Sequence, residues 1–277
     1  LPGQPAVPAE ILQAFTPAYI EPFLQLAAAE GWITDRSELE FLLRCFPQGC
    51  LVSTVDAAPA GFITATKYAT SAWIGNLLVA PHFRRRGIGR SLMEKALQQL
   101  DGSGCATVWL TASADGAHLY RTLGFVQIDC VQRWRTAGSL AAALPCAVDL
   151  EHAAVLDRMG WGDSRTSLFA GMQDCAGWLL RKDGFLRCIS AGGGLQLGPW
   201  GALAGKVAAK LLEAALRDMA GDGDIYLDVP RGNRSAGRLL QAHGFAGSGD
   251  TLLMYRGRMP AYRPEFVYSL ASMGSYG

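Results

Sequence analysis

The stretch Trp73-Ile-Gly-Asn-Leu-Leu-Val-Ala-Pro-His-Phe-Arg-Arg-Arg-Gly-Ile-Gly-Arg-Ser91 constrains the fold more than any other part of the chain. It opens as an apolar run, Ile74 to Val79, interrupted by Gly75 and Asn76 and ended by Pro81. A basic, glycine-bearing turn follows, from Arg84 to Gly89. Leu92, Met93, Ala96, Leu97 and Leu100 then recur at the spacing of one helical face. The order is strand, glycine turn, helix. A helix leaving such a turn directs unbonded backbone N–H groups, and the positive end of its dipole, at whatever lies ahead of it. Glycine lets that backbone come close. The ligand suited to this arrangement is a phosphate or pyrophosphate.

Two common phosphate binders are excluded by what is missing. There is no G-x-x-x-x-G-K-[ST], the loop of nucleotide hydrolases. The dinucleotide fingerprint G-x-G-x-x-G fails because Leu92 stands where its third glycine belongs. What remains is R-x-x-G-x-G after a strand ending Leu-x-Val-x-Pro. This resembles the acetyl-CoA-binding signature of the GNAT superfamily of N-acetyltransferases. The resemblance implies acetyl-CoA as cofactor. Its pyrophosphate would lie on the loop of Arg84, Arg85, Arg86, Gly87, Ile88, Gly89, Arg90 and Ser91. Its pantetheine arm would lie along Leu77, Leu78 and Val79.

The remainder of the chain alternates strands and helices, which implies an α/β (α+β) fold. A first strand is expected at Ile11 to Phe15, and Thr16-Pro17 signals a helix start, although Pro22 means that the helix is broken or begins later. A second helix opens at Asp35 or Ser37. A hairpin is expected around Ala57-Ala58-Pro59, a strand at Cys105 to Leu110, a short helix at Gly116 to Leu123, and a strand at Val126 to Trp134. The plan then recurs. Ala117-His-Leu-Tyr-Arg-Thr-Leu-Gly-Phe125 aligns without a gap on Gly237-Arg-Leu-Leu-Gln-Ala-His-Gly-Phe245, and Asn233 and Ala236 before the second Gly-Phe strengthen the likeness. The whole chain is similar to tandem GNAT proteins: two GNAT-like domains, each a mixed, mostly antiparallel sheet flanked by helices. The expected division is a flexible extension at 1–10, a catalytic domain at 11–136, a connection at 137–150 and a degenerate domain at 151–277.

The two halves are unequal. Gly198-Pro-Trp-Gly-Ala-Leu-Ala-Gly205 stands where the second phosphate turn should be and carries no arginine, and Leu240 stands opposite Tyr120. Catalysis is therefore expected in the first half, with the second as a packing partner and a wall of the acceptor site. With 25 Lys and Arg against 24 Asp and Glu, the net charge of +1 offers no broad basic field for nucleic acid or an anionic membrane. No apolar stretch nears the roughly 18 residues of a membrane span. The start lacks the basic and apolar pattern of a signal peptide. Seven scattered cysteines without a C-x-x-C pair fit reduced thiols of a cytoplasmic protein and no metal site, and the resemblance to tandem GNAT proteins implies the bacterial type. The partner expected is a small-molecule amine, with homodimerisation left open.

The resemblance implies direct acyl transfer from a thioester to a primary amine, with a backbone N–H near Leu78 or Val79 facing the developing oxyanion. Tyr120, four residues before Gly124, is the candidate donor to the departing thiolate, since a phenol stays protonated at neutral pH. Leu119 and Leu123 form the expected core pair of its helix, which frees Tyr120 from a core role. No carboxylate lies between Trp73 and Val79, so a water-mediated proton route is expected. Asp115 reads as a helix cap, His82 and His118 as surface residues, and Asp35 and Glu38 as borders of the acceptor side. Trp32 and Trp73 are candidate acceptor-lining residues alongside Asp35. Asp157, Asp163 and Arg165 read first as solvated loop charges, with polar contacts at the junction of the halves as the alternative.

Overall fold

The structure, a computed structural model, describes residues 10–34, 36–138, 149–172, 177–191, 194–218 and 223–277. Most of the expected extension and connection lies outside the described residues, and so does Asp35. The first half runs β1 (Glu10–Ala14), α1 (Ile20–Ala29), α2 (Arg36–Cys45), β2 (Leu51–Val55), β3 (Ala58–Lys67), β4 (Ser71–Val79), α3 (Ile88–Gly102), β5 (Thr107–Ala112), α4 (Ala117–Thr122) and β6 (Val126–Gly138). The second runs α5 (Leu150–Trp161), α6 (Thr166–Gly171), β7 (Trp178–Arg181), β8 (Gly184–Ala191), β9 (Gly194–Ala202), α7 (Gly205–Asp218), β10 (Gly223–Pro230), α8 (Arg234–Ala242), β11 (Ala246–Gly257) and β12 (Val267–Ser269).

Local chemistry explains most boundaries. A 3₁₀ turn at Pro17–Tyr19 takes up the Thr16-Pro17 signal, and α1 starts afterwards at Ile20. Pro22 thus falls in the first turn, where its missing N–H has no intrahelical partner to lose. The hairpin turn falls one residue earlier than expected, on Asp56 and Ala57, both with positive φ (50° and 64°), so Ala58 and Pro59 already belong to β3. In α3 the expected stripe Leu92, Met93, Ala96, Leu97 and Leu100 is buried, joined by Ile88. Asp115 is not a cap: α4 begins from Gly116, whose N–H donates to Ser113 Oγ.

All strands join one sheet in the order β1-β2-β3-β4-β5-β11-β6-β10-β9-β8-β7, with β12 paired to β9. If β2 to β6 are matched with β7 to β11, the order without β1 reads the same from either end. The expected class and two-fold likeness hold, but the halves do not keep separate sheets. They exchange their last strands: β11 pairs antiparallel with β5 through Leu252↔Ala112 to Gly257↔Thr107, and β6 pairs antiparallel with β10 through Pro230↔Val131 to Gly223↔Gly138.

The seam has its own core. Trp109 and Trp161 meet edge to face at 5.5 Å, with Trp73 and Tyr262 against Trp161. Arg165 is 2% exposed, forks onto Asp157, and stacks 4.5 Å above Trp161. Asp163 accepts hydrogen bonds from the N–H and hydroxyl groups of Thr70 and Ser71 in the first half. The three charges read as solvated are instead fixed parts of the junction. Sequence spacing did not reveal the role of Asp163 because its partners lie about 90 residues away in the chain.

Candidate functional site

In the first half, β4 and β5 run parallel and pair only through Ser71↔Thr107, Ala72↔Val108 and Trp73↔Trp109. Beyond Trp73 they diverge. The cause lies on the other edge of β4: Thr64 pairs with Gly75 and Phe62 with Leu78, so Asn76 and Leu77 together oppose Ile63. This is a β-bulge, with Asn76 at φ 53°, and it bends the strand away from its neighbour. The result is a fork whose two arms carry backbone groups without a partner strand.

Above the fork, the connection from β4 to α3 forms a cradle. The backbone N–H groups of Arg85 to Arg90 find no acceptor among the described residues; the next, that of Ser91, closes the helix onto Gly87 O. Gly87 has φ 89° and no side chain caps the helix. A cavity of ≈ 360 Å³ lies against this loop, lined by Val79, Phe83, Arg84, Arg85, Gly87, Ile88, Gly89, Arg90 and Leu119. A methyl group at Gly89 would meet Val79 and Leu119 at ordinary contact distances of 3.6 and 3.8 Å. The protein therefore has room for a methyl group there.

The arginines do different things. Arg84 Nε donates to Val79 O and its guanidinium pairs with Glu30, so it braces the loop. Arg90 is tied to Glu94 and Thr122 on the helix surface. Arg85 is exposed at positive φ, and Arg86 lies 5.5 Å from the Phe83 ring centroid. These two are the cations left to face a polyanion. A pyrophosphate fits this set: free amides, a helix N-terminus and two unpaired guanidinium groups.

Below the fork lies a second cavity of ≈ 290 Å³. The first half lines it with Trp32, Thr34, Ile74 to Leu77, Thr111, Ser113, Tyr120 and Arg133; the second with Gln196, Tyr226, Thr251 and Ser272 to Ser275. Among the described residues no carboxylate lines it. Glu38 stands behind it, accepting from Thr34 and Ser272. The second half is thus a wall of the cavity, as expected.

Tyr120 is more buried than expected. The buried stripe of α4 is Ala117 and Tyr120, while Leu119 and Leu123 are only half-buried. Its ring packs edge to face on Phe125, and a methyl group at Gly116 would press on that ring at 3.1 Å. Its hydroxyl has no hydrogen-bond partner among the described residues, and burial pushes its pKa up to about 12. Trp32 lines the cavity and is 40% exposed. Trp73 does not: it is 1% exposed, in the aromatic seam, because its place on β4 precedes the fork.

The second half has the same fork, and it is filled. β9 and β10 pair only at Leu195↔Ile225 and Gln196↔Tyr226. Into the gap runs β12, with Val267↔Gly201 and Ser269↔Trp200 on β9 and the Leu270 N–H donating to Asp228 O on β10. Only Leu203 and Ala204 separate β9 from α7, too few for a cradle. The chain then continues to the first fork, where Gly274 O accepts from the Asn76 N–H. Two glycines accommodate this tail: a methyl group at Gly198 would come within 2.0 Å of Leu270 O, and one at Gly75 within 2.0 Å of Gly274 O. Those glycines are the signal that sequence reading missed.

Two family models match the chain. One, described as Acetyltransferase (GNAT) family, matches residues 9–125, and another, Acetyltransferase (GNAT) domain, matches residues 153–269. Among solved structures, an acetyltransferase described as putative from Pyrococcus horikoshii is similar over 97% of this chain and 96% of its own, with TM-score 0.81 and 22% identity. A GCN5-related N-acetyltransferase from Sphaerobacter thermophilus is similar over 92% and 98%, with TM-score 0.61 and 18% identity. Among curated proteins, the [ribosomal protein bS18]-alanine N-acetyltransferase of Salmonella typhimurium is 37% identical over 75 residues, 26% of this chain and 51% of that protein. The chain spans about half the length of the curated relatives it matches.

Proposed function

We infer, on the premise that the chain belongs to the GNAT superfamily of N-acetyltransferases as a tandem pair, that its first half alone binds acetyl-CoA and acetylates a small primary amine held below the fork. The observation that carries this reading is the contrast between the forks. The first meets the tail at Asn76 and Thr111 but keeps an amide cradle above it and a cavity with Tyr120 below; the second is filled by β12.

Acetyl-CoA, when bound, supplies the activated acetyl thioester. The loop amides of Arg85 to Arg90, with Arg85 and Arg86, hold its pyrophosphate. The edge of β4 at Leu77, Leu78 and Val79 would receive the pantetheine arm, and a backbone N–H there would stabilise negative charge on the acyl oxygen. The cavity holds the amine. A lysine-like amine costs roughly 4–5 kcal/mol to deprotonate at pH 7. With no carboxylate on the cavity wall among the described residues, the proton leaves through water along Thr111, Ser113 and Thr251.

Tyr120 donates a hydrogen bond to the departing sulfur. Burial pushes its phenol up to about 12, above an ordinary thiol near 8.5, which favours hydrogen-bond donation over full proton transfer. Tyr120 therefore steadies the thiolate while the proton stays on the phenol. The small size of the cavity and its enclosure by the second half favour a small acceptor. The local likeness to ribosomal-protein alanine acetyltransferases favours a protein amine as the second reading.

The test is a screen of small amines and N-terminal peptides for acceptor-dependent release of free CoA, with Tyr120→Phe alongside. The expected result is turnover with a small amine and its loss in Tyr120→Phe while acetyl-CoA still binds. Binding without turnover on any acceptor would make the protein an acyl-CoA sensor instead.

A further inference from the structure

Among the described residues, two hydrogen-bond donors of side chains that line the acceptor cavity have nothing to donate to. Tyr226 on β10 is 3% exposed, and its buried hydroxyl has no partner. Arg133 on β6 lines the same cavity. Its Nε and Nη2 are held by the two oxygens of Asp228, which leaves Nη1 without an acceptor among the described residues. The guanidinium lies 5.2 Å from the Tyr226 ring centroid, so the two donors belong to one corner of the cavity. Buried donors are rarely left unmade, because an unmet donor carries its full desolvation cost. The Tyr226 hydroxyl is such a donor, and the part-exposed Arg133 guanidinium over its ring offers a second, so the pair points to a group brought in by the ligand.

The chemistry of that group follows from polarity. Four charges act on Tyr226: Arg133 and Arg135 on one side, Asp228 and Glu38 on the other. Both signs are thus represented around the corner, and the donors decide. An ammonium would meet only donors. An alkyl chain would leave both unmet. A carboxylate accepts from both, and a guanidinium edge suits its planar geometry.

We propose that the amine acetylated by this protein also carries a carboxylate, and that Tyr226 and Arg133 receive that carboxylate at the strand-exchanged seam. The proposal rests on the acetyltransferase reading of the same cavity. It gives the second half a task that cofactor binding does not: β10 from that half and β6 from the first together read the acceptor's far end.

The probes are linear ω-amino carboxylates from glycine to 6-aminohexanoate, n-alkylamines of matching length, and α,ω-diamines. Each is titrated calorimetrically into the complex of the full chain with CoA, then assayed with acetyl-CoA. One ω-amino carboxylate is expected to exceed its matching alkylamine by about 100-fold in affinity and in kcat/KM, the size expected when hydrogen bonds to a charged group are lost. Tyr226→Phe keeps the ring beneath Arg133 and removes only the hydroxyl; it is expected to reduce that ratio by about tenfold. Arg133→Met leaves Asp228 buried without its partner, so it serves as a second variant where it folds.

Equal binding of alkylamines and carboxylates throughout the series would overturn the proposal. So would a preference for diamines, or a Tyr226→Phe variant with the wild-type ratio. Failure of the wild type to bind acetyl-CoA, measured separately, would instead remove the acetyltransferase reading beneath it.

Discussion

Gly87 and Gly89 show how far a single residue can be read. The motif R-x-x-G-x-G is legible in the sequence, yet its two glycines answer different demands. Gly87 sits at φ 89°, where a side chain is strained whatever surrounds it. Gly89 has ordinary space for a methyl group. Gly89→Ala is therefore expected to leave the melting temperature unchanged while weakening acetyl-CoA by about tenfold, a loss of about 1.4 kcal/mol; calorimetry and a thermal melt check both halves of that statement. Tyr120 was legible as a candidate from its place before Gly124, but its burial was not, because a six-residue helix has too few turns to define its buried stripe by period. Burial raises its pKa above the ordinary tyrosine value, so the donor form persists through neutral pH and is lost only as pH rises through about 12. Tyr120→Phe is expected to lower kcat about 100-fold with acetyl-CoA affinity kept. The wild-type kcat should show no ionisation of Tyr120 up to about pH 10.

At the scale of elements, β4 and α3 were readable because everything that forms them is local: an apolar run, a proline, a turn and a helical stripe. The fork was not, since it depends on a bulge against β3 and on where pairing with β5 stops. The tail was missed for the same reason. β12 has three residues and gains its place only by filling the gap between β9 and β10. Gly75→Ala tests that placement, because its Cβ would stand 2.0 Å from the backbone oxygen of Gly274 and the tail would have to move. Lower kcat/KM for the acceptor is expected, with acetyl-CoA affinity affected less. The Asp163 contact tests the junction. Burial raises the pKa of this carboxyl, but hydrogen bonds from Ser71 and Thr70 outweigh that and hold it below the ordinary range. Its contribution to stability is thus present above the unfolded carboxyl value, near 3.9, and is lost as pH falls through the lowered folded value. The melting-temperature gap between wild type and Asp163→Asn is expected to be widest at neutral pH and to close in acid.

For the whole molecule, the internal repeat announced two like halves, but the strand exchange between them is a non-local pairing that no periodicity encodes. Its consequence is cooperativity: β5 lacks its far neighbour without β11, and β10 lacks its own without β6. One calorimetric unfolding transition is expected for the full chain; two resolved transitions would speak against a shared sheet. Asp157→Ala, which strips the partner from the buried Arg165 guanidinium, is expected to destabilise that single unit by about 3–5 kcal/mol in a denaturant titration. The central claim is that two similar halves provide one cofactor site, because β12 closes the second fork and no loop lies above it. Calorimetric titration of acetyl-CoA into the full chain tests this most directly. One site per chain, weakened by Gly89→Ala, is the expected result; two sites, or one site indifferent to Gly89→Ala, would contradict it.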